Sequence, residues 1–430
     1  MPAAEQPRVL VISSVDPTRG TGTVAFNFYR ALKNAGIQAD FLTRYPVEDH
    51  PEILHVFPQR RTLRSTLAEA RSRLMGNFIA QQGNHDFDYA REDRPPVPPS
   101  LVLAQIRKPY DVVYIIFWYK LLSYRTVEAI YDKLHCQIHF RCADNQPVAG
   151  GCHFIGDCPR LEAGCGSCPG LKRGHPQDFT AFNIRYRRAV LERVRPLVYG
   201  NTHMQQIYRR CALLKDYDRL ITAYPLVDNA FFHPVPQEEA RRSLGMAPEQ
   251  DFVLFFGCSQ LDEERKGMRY LLEALRQLHA GLEEPQRRRV VTVMAGKHAE
   301  ALQKELPFAS LNLGFVPIGQ LPTVYSAASA FLCPSVDDAG PSMVNQSLSC
   351  GTPVVAFHLG TALDMVDGHN TGYCAATRDA ADFARGIRRI FDQTPAERAR
   401  MRADCRAMAL DRTTEASFVK QFLEIYRQYQ

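Results

Sequence analysis

The sequence predicts an α/β protein made of two doubly wound, Rossmann-like halves facing a central cleft. Short apolar runs of strand type alternate with stretches of helical periodicity, the pattern of parallel sheets joined by crossover helices. That alternation opens near the amino terminus and starts afresh after Asp251. The chain has 430 residues, and domains usually run to roughly 100–200 residues, so two are expected.

In chain order, residues 8–14 (RVLVISS) read as a first strand, followed by the loop Gly20-Thr21-Gly22-Thr23. A helix follows with Val24, Phe28, Ala31, Leu32 and Ala35 on one side, stopped by Gly36, and residues 37–43 read as the next strand. Residues 60–78 carry Leu63, Leu67, Ala70, Leu74 and Phe78 at helical spacing, surrounded by arginines, and the proline-rich stretch 94–100 then breaks the pattern. Strands resume at 112–117, 137–140 and 197–200, with a glycine- and cysteine-rich loop at 145–174 and a helix at 181–194. In the second half the strands are 252–256, 290–295, 330–334 and 353–357, and the helices 268–279, 321–328 and 342–350. The tail, 396–430, is mostly helical. These elements predict a first domain over 1–205, a second over 206–412, and a terminal helix, 413–430, that packs back on the first.

The balance of 52 basic and 46 acidic residues leaves a net charge of +6. It suits anionic small molecules or a membrane surface and does not call for nucleic acid. The longest apolar run, 112–119, is far short of the roughly 20 residues that span a bilayer. No leader pattern is present, and a cytoplasmic location is the expectation.

The most informative stretch is 333–355, CPSVDDAGPSMVNQSLSCGTPVV, which reads as strand, acidic loop, helix, turn and strand. A helix start presents unpaired N–H groups and a positive dipole end, a setting for phosphate. Gly340 allows close approach of backbone to ligand, Pro341 suits a first helical turn, and Ser342 opens the helix. Asp338 in the loop and Gln346 in the helix are eight residues apart. Both can face one ligand, the first at a sugar and the second at ribose hydroxyls.

This stretch resembles the E-x7-E signature of the family 4 retaining glycosyltransferases, E-G-F-G-x-x-x-x-E-A-x-A-C-G-x-P-V-V, which have the GT-B fold. Asp338 takes the place of the first Glu and Gln346 of the second, and Ser349-Cys350-Gly351-Thr352-Pro353-Val354-Val355 completes the match. Arg265-Lys266-Gly267 resembles the family's K-G motif, whose Lys and a nearby Arg hold the donor diphosphate. The family's Arg falls near Cys258 and Ser259, where this chain has none. Gly296, residues 314–316 and 325–335, and the segment 224–234 (YPLVDNAFFHP) follow in the family's order. The Gly20, Thr21 and Gly22 loop resembles the glycine-rich loop beside donor sugar and acceptor.

The resemblance implies sugar transfer from a nucleotide-diphosphate sugar to a glycan or lipid-linked acceptor, with retention and no cofactor needed for catalysis. Lys266 and Arg265 would neutralise the leaving diphosphate, Asp338 would position the sugar, and Asp144 would line the acceptor side. Residues 143–153 resemble an exopolysaccharide-type subset reading H-D-x-W-x-x-T-G-G-C-H, with Ala143 where the subset has His. His139 and His153 are nearby alternatives. Ala143 and Gln346 also suit a second class of function, a non-catalytic nucleotide-sugar-binding partner of another transferase. A sugar-nucleotide epimerase would need acid and base carboxylates that the sequence does not place.

Two features stand outside that motif set. Cys152, Cys158, Cys165 and Cys168 are spaced C-x5-C-x6-C-x2-C. Four thiolates suit a structural zinc, while disulfides and free thiols are the other readings. The basic stretch 60–78 suits peripheral contact with an anionic membrane, or a leucine stripe packed on its own domain.

Overall fold

The structure is a computed structural model that describes residues 6–18, 20, 22–58, 63, 66, 67 and 90–430. Thr21 and nearly all of 60–78 therefore lie outside the described residues. The chain divides into two units: residues 1–200, 204–226 and 418–430, and residues 201–203 and 227–417.

The first unit holds β1 (Val9–Ile12), β2 (Ala39–Thr43), β3 (Leu54–His55), β4 (Val112–Ile115), β5 (Gln137–Arg141), β6 (Leu197–Gly200) and β7 (Leu220–Thr222). They form one parallel sheet in the order β3-β2-β1-β4-β5-β6-β7. The middle strands β1 and β4 are buried along their whole length, which is why they read as unbroken apolar runs rather than alternating ones. The helix Gly22–Asn34 connects β1 to β2 and buries Ala25, Phe28, Ala31 and Leu32. Between β4 and β5 runs the helix Tyr124–Leu134, whose N-cap Ser123 accepts the Thr126 amide at 3.2 Å. The terminal helix Glu415–Gln428 sets Phe418 against Phe28, ring centroids 4.8 Å apart, and Phe422 against Tyr114 at 6.1 Å.

The second unit holds β8 (Phe252–Gln260), β9 (Val290–Lys297), β10 (Ala309–Asn312), β11 (Ala330–Cys333), β12 (Val354–Phe357) and β13 (Gly372–Ala375). This sheet is also parallel, ordered β10-β9-β8-β11-β12-β13. Its core packs Phe255, Phe331 and Val355 with Leu271 and Leu275 of the helix Met268–Ala280 and Ile387 of the helix Ala380–Phe391.

The division falls after Leu226 and not at 205 as the sequence pattern suggested. The reason is that most of the helix Thr202–Arg210 and strand β7 belong to the first unit, where β7 pairs with β6. At the carboxy terminus the first unit resumes at Phe418 instead of 413. A further strand, at Ala309–Asn312, was not read from the sequence, because this edge strand of sequence ASLN is too polar to stand out.

Candidate functional site

In the second sheet β8 and β11 are neighbours, with Leu254 level with Ala330 and Phe255 with Phe331. From β8 the chain continues to β9 on one side, and from β11 to β12 on the other. This is the topological switch point of an open α/β sheet, where loops from the strand carboxyl ends part and ligands bind. The loop after β8 carries Arg265 and Lys266, and the loop after β11 carries Asp338 and Gly340.

Their contact is built into the backbone. Arg265 and Lys266 lie in the short 3-10 turn Glu264–Lys266, closed by Gly267 at φ +70°. A Cβ on Gly267 would fall 1.9 Å from the Pro334 carbonyl oxygen, so only glycine lets this turn sit on the neighbouring loop. The Val336 amide then donates to the Arg265 carbonyl at 2.8 Å. Held in this way, Lys266 Nζ lies 2.7 Å and Arg265 Nη1 3.3 Å from Asp338 Oδ2, and the Gly340 amide donates to Asp338 Oδ1 at 3.1 Å. Arg265 also pairs with Glu263 at 2.7 Å. Burial alone would raise the Asp338 carboxyl, but Lys266, then Arg265 and the Gly340 amide, outweigh it and hold it below the usual carboxylate range.

Gly340 has φ +159°, and a Cβ there would lie 2.8 Å from Asn201 Nδ2. That amide donates to the Ala339 carbonyl at 2.6 Å. Pro341 stands at the N-cap of the helix Ser342–Ser349, one place before the first helical turn in which the sequence put it. Gln346 is further along this helix, and its Oε1 accepts the buried Tyr325 hydroxyl at 3.1 Å. The structure therefore gathers Arg265, Lys266, Asp338 and Gly340 at one point, with Gln346 engaged on Tyr325.

His203 was not singled out from the sequence. It follows Asn201 and Thr202, whose backbone amide and hydroxyl both donate to the Asp364 carboxylate. Burial pulls the His203 imidazole below its ordinary value, with Asp338 opposing and His358 reinforcing the shift. A position just past the carboxyl end of a parallel strand, β6, was the available signal.

In the first unit, Gly20 and Gly22 lie beyond the end of β1. Thr23 donates to the Gly20 carbonyl through Oγ1 at 2.8 Å, and Gly22 begins the next helix. Asp144 follows β5; its Oδ1 accepts the Gln146 amide at 2.9 Å and its Oδ2 meets His153 Nδ1 at 2.7 Å. Tyr119 stands edge-on to the His153 ring at 5.2 Å. His139, the other alternative for the histidine replaced by Ala143, is fully buried between Gln137 and Tyr199. Burial pushes its pKa down to about 3, which makes it a neutral core residue.

None of the twelve cysteines is joined in a disulfide. Cys152, Cys158, Cys165 and Cys168 lie near enough for each of the other three to oppose ionisation of the Cys152 thiol. Among the described residues, the group of three or more metal-binding side chains with ligand atoms within 4.8 Å of one another is His358, Asp367 and Cys374. The four loop sulfurs are spread more widely than that. No helix among the described residues is long and apolar enough to cross a membrane.

The whole chain resembles solved structures of one architecture. Sucrose-phosphate synthase from Thermosynechococcus elongatus superposes with a TM-score of 0.68 over 99% of both chains, at 18% identity. Anabaena Alr3699/HepE, solved in complex with UDP and glucose, gives 0.63 over 98% of this chain and 100% of that one, at 15% identity. The fold is GT-B, a pair of Rossmann-like domains in one chain. Residues 236–408 match the family described as glycosyl transferases group 1. D-inositol 3-phosphate glycosyltransferase 2 of Catenulispora acidiphila is 30% identical over 190 residues, 41% of this chain and 43% of that protein. D-inositol 3-phosphate glycosyltransferase of Actinosynnema mirum is 30% identical over 216 residues, 47% of this chain and 51% of that protein. The chain thus spans about half the length of the curated relatives it matches.

Proposed function

We propose that the protein is a retaining glycosyltransferase that moves a sugar from a nucleotide-diphosphate sugar to a glycan or lipid-linked acceptor, in polysaccharide or glycoconjugate synthesis. The observation that carries this reading is the Lys266–Asp338 contact at the switch point of the second sheet, inside the segment that matches the group 1 family. Lys266 and Arg265 bring two positive charges to the place where a leaving diphosphate gains negative charge, and the start of the helix Ser342–Ser349 adds its dipole. Asp338, held ionised by those cations, accepts hydrogen bonds from sugar hydroxyls. Gln346 bonds the ribose through its side-chain amide. The leaving phosphate oxygen takes the acceptor proton, so the protein needs no nucleophile of its own. Asp144, steadied by His153, lines the acceptor side with the Gly20, Thr21 and Gly22 loop. The complexes of HepE with UDP-glucose and with UDP support a nucleotide-sugar donor.

The names of the inositol-phosphate relatives favour a second acceptor class, a phosphorylated cyclitol. A different function, that of a nucleotide-sugar-binding partner without transfer activity, is favoured by Gln346 and Ala143. One experiment separates these readings. The purified chain is given UDP-, GDP-, ADP- and dTDP-sugars with a cell lipid extract, oligosaccharides or inositol 3-phosphate, and nucleotide release is measured beside Lys266→Ala. Release from one donor, lost in the variant, supports the transferase and identifies donor and acceptor class. Nucleotide binding with no release from any pair would replace it with the non-catalytic partner.

A further inference from the structure

The loop between β5 and the helix Phe179–Val194 has little regular structure, yet it is held at many points. Arg187, itself paired with Glu92 at 2.5 Å, donates to the carbonyls of Gln146 and Ala149. The Gly166 amide donates to Thr180 Oγ1 at 3.1 Å, the Cys168 amide to Asp178 Oδ2 at 3.0 Å, and the Ser167 amide to the His175 carbonyl at 2.8 Å. Gly164, Cys165, Gly166 and Ser167 form an unbroken run with φ between +45° and +84°. For Cys165 and Ser167, which carry a Cβ, this conformation costs about 1–3 kcal/mol each, and it persists only where the surroundings impose it. The local apolar cluster is small: Cys168 and Leu171, with Cys152 and Phe179 against them. Half of that cluster is cysteine, so apolar packing is a weak reason for the turn.

The chemistry of the turn is that of a metal knuckle. Cys165 and Cys168 bracket it, and the Leu171 amide donates to the Cys168 carbonyl at 3.1 Å. Cys152 and Cys158 come from the preceding turns, and Cys152 packs against Cys168 and Leu171. We infer that Cys152, Cys158, Cys165 and Cys168 bind one structural zinc ion, which fixes this loop and, through Cys152, the adjacent His153 on Asp144. Four thiols release four protons, and the ion gains four sulfur ligands in a closed tetrahedron with no position left for substrate. Zinc–sulfur distances of about 2.3 Å bring sulfurs to about 3.8 Å from one another, so the four thiols draw together as the ion binds. The His153 link follows from the chain itself: Cys152 and His153 are consecutive, and the His153 carbonyl accepts the Asn145 amide at 2.9 Å.

The test uses the full chain, purified without a metal-affinity tag or added metal. Metal content is read by plasma mass spectrometry, and release is followed with a mercurial thiol reagent and a zinc indicator dye. The expected result is one zinc per chain, released as the thiols are modified. Cys168→Ala is expected to lose the ion, and Cys405→Ala, a buried thiol of the second unit, to keep it. Should Cys168→Ala fail to fold, the metal content of the unaltered chain still decides. A chain without zinc in which all twelve thiols react, a chain lighter by the hydrogens of a disulfide, or one holding iron in place of zinc would each overturn the inference. None of these readings depends on transfer activity.

Discussion

Replacing Lys266 with alanine separates the chemistry of the proposed donor site from its stability. Lys266 Nζ lies 2.7 Å from Asp338, with the two side chains 15% and 12% exposed, so this charge acts in a partly dry setting. The diphosphate gains negative charge as the sugar–phosphate bond breaks. Loss of one preorganised donor at such a position costs about 2.7–4 kcal/mol of barrier, a fall of about 10²–10³ in kcat. The structural cost is smaller, because Asp338 keeps Arg265 at 3.3 Å and the Gly340 amide at 3.1 Å. One charge-assisted hydrogen bond is worth about 1.5–3 kcal/mol, and partial exposure puts the loss near or below the lower end. For a unit of this size each kcal/mol shifts Tm by about 2–4 °C. The assay is steady-state release of nucleotide from the donor identified with the unaltered chain, with Tm measured alongside. Lys266→Arg, which keeps the charge, is expected to recover part of the rate. A folded Lys266→Ala protein with kcat within about threefold of the parent would refute the role of this lysine in stabilising the leaving group.

Asp338→Asn tests the carboxylate by pH. Its folded pKa lies below the unfolded value of about 3.9, so its ion pairs stabilise above that pH and are lost as pH falls through the folded value. Thermal melts should show the parent losing stability below about pH 4 more steeply than Asp338→Asn; parallel curves would contradict this. His203 is also shifted downward, by burial first, so its contribution is present above about pH 6.5 and is lost as pH falls below it. His203→Gln should flatten the melting curve between pH 7 and pH 5, and an unchanged slope would remove His203 as its cause. Gly267→Ala, with a Cβ 1.9 Å from the Pro334 carbonyl oxygen, should destabilise by about 1–3 kcal/mol in denaturant melts and weaken nucleotide binding, because the Arg265–Lys266 turn must move. Asp144→Ala should lower kcat while nucleotide affinity by calorimetry stays within about twofold, since Asp144 belongs to the first unit; an equal loss of both would place its role elsewhere.

The parts of this protein legible in the amino-acid sequence are those governed by local pattern. Buried parallel strands such as β1, β8 and β11 are continuous apolar runs, and the helices Gly22–Asn34 and Met268–Ala280 have one apolar side. Local pattern marked Asp338 and Gly340 because turns and helix starts demand particular residues over a few positions, and Lys266 was marked by the resemblance of Arg265-Lys266-Gly267 to a family motif. Edge strands escaped: β7 and β10 are short and half-exposed, so burial wrote no apolar run into them. The unit boundary escaped with them, because 206–226 are claimed by β7 pairing with β6 and not by any break in composition.

What the tertiary structure alone decided is which residues meet. Lys266 and Asp338 are 72 positions apart, and they touch because β8 and β11 are neighbours while the chain leaves them in opposite directions. His139 and His153 look alike as candidates in sequence. One is sealed between Gln137 and Tyr199, and the other stands on Asp144 at a strand end. Burial and strand order are sums over contacts from distant parts of the chain, and no local pattern of residues encodes them. The sequence by itself determined two Rossmann-like halves and the residue types at the turns; long-range pairing of the strands determined the site.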